Sequence, residues 1–85
     1  MRKGAGLVYY RAWYRRSSES AALDPLHPDW IVHASDEAEA RRMVLRSMGR
    51  HEPERGFAIL FAAFADEDEG VRAYAGARQT GQALM

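Results

Sequence analysis

The chain has 85 residues, 47% of them apolar, with two Trp, four Tyr, three Phe and no Cys, and its 12 basic side chains balance 12 acidic ones. That size and composition suit one small folded domain, 1–85, and exclude a disordered chain, a disulfide scaffold and any thiol or thiolate chemistry. Zero net charge argues against a protein whose main task is coating nucleic acid, because that affinity is mostly phosphate neutralisation.

The charge is laid out in blocks. Residues 1–16 hold five basic side chains and no acid, 17–40 hold six acids and no base, 41–55 hold five arginines, and 66–69 are all acidic. Met1-Arg2-Lys3 does not open an export signal, since the apolar stretch after it is broken at Arg11 and Arg15-Arg16. The run Phe57 to Ala65 falls far short of the roughly 20 residues of a membrane span. Lack of cysteine fits a reducing cytoplasm. Opening on Met1 with no linker, the chain reads as a stand-alone accessory protein.

Gly6 to Arg15 predicts a strand, being aromatic, β-branched and alternating. Val8, Tyr10, Ala12 and Tyr14 fall on one face, and Tyr9, Arg11, Trp13 and Arg15 on the other. Residues 16–29 contain Ser17, Ser18, Ser20, Pro25 and Pro28 and predict a loop. Within it, His27-Pro28-Asp29 resembles the signature tripeptide of J-domain co-chaperones, which in that family joins two antiparallel helices. Here strand-forming residues flank it on both sides, and Pro25 stands where a helix would precede it. The simpler reading is a proline-stiffened entry into a second strand, Trp30 to Ala34.

Ser35-Asp36 opens a helix. Asp36 and Glu39 have capping-box spacing, and the acids suit the positive end of the helix dipole. Ala40, Met43, Val44 and Met48 make a buried stripe, Glu37 and Arg41 an i,i+4 pair, and Gly49 the stop. Phe57 to Ala65 fits either a helix stripe or a buried strand. The strand is preferred because Asp66 to Gly70 resembles a hairpin loop, with Val71 to Arg78 alternating as a weak return strand. Residues 79–85 are expected to fray. The predicted fold is α+β: a small antiparallel sheet in β-β-α-β-β order with one amphipathic helix on one face.

No catalytic constellation stands out. His27, His33 and His51 lack partners at metal-ligand spacing, no glycine elbow surrounds a serine, and no glycine-rich phosphate loop joins a strand to a helix. No cofactor or metal is implied. Two patterns suggest binding. Arg42, Arg46 and Arg50 recur every four residues along the helix, and Tyr9, Arg11, Trp13 and Arg15 interleave aromatics with arginines on a strand. Eleven of the basic residues are arginine, which suits planar, bidentate contacts. Tyr, Trp, Met and Arg are the types enriched in interface centres. The expected function is therefore that of a non-catalytic protein-binding module, a small bacterial or phage regulator or inhibitor of a larger complex, for instance a nucleic-acid-processing one. The alternative is a single-stranded nucleic-acid binder that stacks bases on the strand face. A homodimer hiding the aromatics is the bland version of the first reading.

Overall fold

A computed structural model of the chain describes residues 6–18 and 23–85. In chain order the elements are β1 (Val8–Arg16), β2 (Trp30–Ala34), α1 (Glu37–Met48), β3 (Phe57–Ala63), α2 (Glu67–Thr80) and β4 (Ala83–Leu84). The fold is α+β. One four-stranded sheet runs in the order β3-β1-β2-β4. β1 pairs antiparallel with β2 and β3, whereas β4 pairs parallel with β2. The sheet is thus mixed, not purely antiparallel, and the described residues hold two helices, not one.

The difference arises after Ala65. Asp66 is not part of a hairpin loop; it caps α2, its carboxylate accepting the N–H of Asp68 at 2.8 Å, and Glu67, Asp68 and Glu69 form the first turn. Acids there meet the partial positive charge of the helix N-terminus. The alternation of Val71, Ala73, Ala75 and Ala77 that suggests a strand is outweighed by alanine's helix propensity. Gly81, at φ 80°, ends α2 in the left-handed region. The expected frayed tail then runs as β4, Ile31 lying opposite Ala83 and Val32 opposite Leu84. A parallel neighbour requires a crossover, and α2 supplies it.

α1 and α2 cover opposite faces of the sheet. The first face carries Tyr10, Ala12, Val32, Ala34 and Ile59, which pack with Ala40, Val44 and Leu45 of α1. Ala12, Ala34 and Ala40 are essentially sealed from solvent, and such small side chains let the helix axis come close to the strands. Val32 and Val44 are the largest side chains fully buried, each worth roughly 1.5–3 kcal/mol. On the second face α2 lies over Tyr9, where Tyr74 joins Tyr9 and His33. Because β2-α1-β3 moves one way across the first face and β3-α2-β4 returns across the second, the two crossovers have the same hand, as parallel crossovers favour.

α1 begins as its sequence dictates. The Asp36 side chain accepts the N–H of Glu39 at 2.8 Å, and Glu39 reaches back to the N–H and hydroxyl of Ser35 at 2.7 and 2.8 Å. Gly49, at φ 73°, closes the helix, with its N–H on the Arg46 carbonyl and that of Arg50 on the Leu45 carbonyl. The Glu37–Arg41 pair is not among the ion pairs of the described residues.

Candidate binding surfaces

The aromatic–arginine face of β1 is engaged within the fold, with Trp13 buried and Tyr9, Arg11 and Arg15 partly exposed. Tyr9 stacks on His33 with ring centroids 4.0 Å apart and planes 2° from parallel, and Tyr74 of α2 closes over both. The Arg11 guanidinium sits 3.9 Å from the centre of the Phe64 ring, donates from Nε to the Pro25 carbonyl at 3.0 Å, and approaches Glu69 at 3.5 Å. Trp13 is 2% exposed and donates its indole N–H to the Asp24 carbonyl at 3.2 Å. Arg15 pairs with Asp29 at 2.7 Å. The sequence places these four side chains on one face correctly, but α2 and residues 23–29 occupy the space that stacked bases would need.

His27-Pro28-Asp29 joins two strands, not two helices. His27 Nδ1 lies 2.8 Å from the Asp24 carboxylate, whose other oxygen accepts the Leu26 N–H. The bond to His27, more than that to Leu26, holds the Asp24 carboxyl below its ordinary range. Pro28 has no N–H to give the ladder, and the bonds to β1 at this point are made by Asp29. Its Oδ2 accepts the Tyr14 N–H at 2.8 Å, and its own N–H reaches the Ala12 carbonyl. The tripeptide is a strand entry.

Arg42, Arg46 and Arg50 form an open ridge. All three are exposed. With Leu45, Gly49 and His51 they line a hollow of about 490 Å3 at the C-terminal end of α1. None is in an ion pair among the described residues. Arg50 is held by its backbone in the helix cap and by Nε on the Glu52 carbonyl at 3.0 Å. The end of the helix, with its partial negative charge, supports Arg46 in the last turn.

A second hollow, of about 870 Å3, lies between residues 25–31 and α2. Leu26, 81% exposed, stands at its rim; Trp30, Phe64, Arg72 and Ala73 help line it. Sequence reading misses it because one wall is the unpredicted α2; the adjacent prolines at 25 and 28 are the only local signal. Among the described residues no group of three or more His, Asp or Glu side chains is gathered for a metal, and no helix is long and apolar enough to cross a membrane. The chain matches no protein-family model, no curated protein and no solved structure.

Proposed function

We propose that the chain is a non-catalytic protein-binding module whose ridge of Arg42, Arg46 and Arg50 engages an acidic surface on a partner protein. The carrying observation is that these three guanidinium groups are exposed and without ion pairs among the described residues, while the other predicted contact residues are engaged within the fold. An arginine fork recognises carboxylates bidentately, and the apolar floor at Leu45 gives such a contact a centre that excludes water. A regulator or inhibitor that docks on an acidic, nucleic-acid-mimicking or regulatory surface of a larger complex has this character.

The single-stranded nucleic-acid reading needed Tyr9 and Trp13 as stacking platforms, and both are covered. Arginines alone leave phosphate contact without stacking. The two readings separate in one experiment. The tagged chain and its Arg42→Glu/Arg46→Glu variant are incubated with host lysate and washed at high salt, and binding of an oligothymidylate probe is titrated against salt in parallel. The proposal expects one stoichiometric protein that survives the wash and is lost from the variant. Capture of the same protein by the variant rules out the ridge. Oligothymidylate binding that falls steeply with salt transfers the ridge to nucleic acid.

A further inference from the structure

Among the described residues β3 is an edge strand, and its edge is built for pairing. β1 contacts it through alternate residues: Phe64 donates to the Tyr9 carbonyl at 3.0 Å and Ser17 to the Gly56 carbonyl at 2.8 Å. With Tyr10 opposite Ala63 and Trp13 opposite Leu60, that parity turns the N–H and C=O groups of Ala58, Leu60 and Ala62 toward β1. Those of Ile59, Phe61 and Ala63 point outward. Natural edge strands are usually blunted by charge, proline, a bulge or short length. From Phe57 to Ala65 there is no charged residue and no proline, and the seven residues of β3 contrast with the two of β4 on the opposite edge.

We propose that the outer edge of β3 pairs antiparallel with the same edge of a second copy of this chain, joining the two sheets into one. Full overlap of Phe57–Ala63 with its symmetry mate places Leu60 opposite Leu60 at the two-fold axis. Ile59 then lies opposite Phe61, and Phe57 opposite Ala63. This register sets the outward-facing groups of Ile59 and Phe61 against one another, as an antiparallel ladder demands. It also sets a large side chain against a small one at each end.

Charge selects the direction. The turn Glu54–Phe57, closed by the Phe57 N–H on the Glu54 carbonyl at 2.9 Å, ties the Glu54 N–H back to the Tyr14 hydroxyl at 2.8 Å. Arg55 is left exposed at the corner and in no ion pair among the described residues. At the other end of β3 stands Asp66-Glu67-Asp68-Glu69. Antiparallel pairing carries Arg55 of each copy to the acidic turn of the other, whereas parallel pairing would set Arg55 beside Arg55. A two-fold contact through one edge of each copy closes on itself and gives a dimer, not a fibre.

Sedimentation of the full chain from micromolar to millimolar concentration tests this. The unmodified chain is expected to pass from monomer to dimer. Ala63→Pro removes an outward N–H without touching the β1 ladder and is expected to weaken the dimer about tenfold. Leu60→Lys sets like charges at the axis, and Arg55→Glu sets acid against acid; both are expected to weaken it too, more strongly at low salt. Arg72→Ala, on α2, should leave it unchanged. A chain that remains monomeric throughout overturns the proposal. So does a dimer that Ala63→Pro and Leu60→Lys form as tightly as the parent, or growth into open assemblies without a dimer plateau. If Ala63→Pro fails to fold by circular dichroism, Arg55→Glu at the exposed turn decides.

Discussion

Gly70 of α2 rests directly against Tyr9 of β1: a Cβ on Gly70 would lie 2.8 Å from the Tyr9 Cβ and 2.9 Å from two of its ring atoms. The contact is with the base of the tyrosine, which is fixed to the strand and stacked on His33, so the neighbour has no easy way to yield. Gly70→Ala gains about 0.5–1 kcal/mol of helix propensity and loses roughly 1–3 kcal/mol to overpacking. The expected net result is a loss of about 1 kcal/mol or more in urea denaturation. A Cβ at Gly76, six residues along the same helix, would meet nothing within 4 Å. Gly76→Ala should stabilise by about 0.5–1 kcal/mol. The opposite signs at two glycines of one helix test how α2 seats on the sheet.

Trp13 is a folding residue. Its ring is buried and its indole N–H is bonded to the Asp24 carbonyl. Trp13→Ala should cost about 3–5 kcal/mol, which is most or all of what a chain this short has to lose. The variant is expected to lose its cooperative unfolding transition by circular dichroism. Trp13→Phe keeps an aromatic ring but loses part of the indole's volume together with the hydrogen bond, and a cost of about 1–3 kcal/mol is expected. Lost partner binding in Trp13→Ala would therefore report unfolding, whereas the same loss in Arg46→Ala, at an exposed helical position, would report the interface.

Those two residues also mark where sequence reading succeeds and where it stops. The first half of the fold was legible because local signals agree there. Alternation gives β1 and β2, and the Asp36/Glu39 spacing with Gly49 gives α1. The strand predicted over Phe57–Ala65 is present over Phe57–Ala63, although the hairpin that argued for it is absent; its aromatics and the flanking Gly56 suit a strand paired along β1. The second half misleads because Val71, Ala73, Ala75 and Ala77 satisfy a period of two by chance. The acids at 66–69 can be a solvated turn or a helix start, and Gly70 reads as a breaker when its role is a close approach to Tyr9. Losing α2 had a direct consequence for the site. Alternation places Tyr9 and Arg11 on a shared face, but it does not show the helix that covers that face. The ridge at Arg42, Arg46 and Arg50 was legible because one helix with a recognised buried stripe determines its own exposed side.

Asp29 separates two kinds of polar contribution. It accepts the Tyr14 N–H at 2.8 Å and pairs with Arg15 at 2.7 Å, both side chains being about a third exposed. An ion pair so exposed is worth about 0.2–1 kcal/mol. Leaving a strand N–H without its acceptor costs more, about 1–3 kcal/mol. Asp29→Asn retains an acceptor and loses only the charge, so it should be mildly destabilising, by less than about 1 kcal/mol, with the difference from the parent shrinking in high salt. Asp29→Ala should be the more damaging, with a deficit that salt leaves largely intact. Denaturation of both variants at low and high ionic strength checks the order; equal effects would assign the loss to the ion pair.

Glu39 ties the start of α1 to acid sensitivity. Its carboxylate accepts first the N–H and then the hydroxyl of Ser35, with the Arg42 charge adding a smaller pull, and these hold its pKa below the ordinary value of 4.5. A carboxyl depressed in the folded state stabilises the fold fully above its unfolded value, and the contribution is lost as pH falls through the lower folded value. The expected window is therefore just below pH 4.5, and no effect of this group is expected between pH 6 and 8. Glu39→Gln keeps an oxygen for Ser35 but has no proton to take up. Its thermal midpoint should lie below that of the parent at neutral pH, and the two should converge as acid removes the parent's advantage. Ser35→Ala, which removes the hydroxyl donor but not the backbone one, should give a smaller version of the same convergence. A constant gap between parent and Glu39→Gln across the acid range would mean that Glu39 acts through packing or propensity, and that the Ser35 bonds do not favour its charged form.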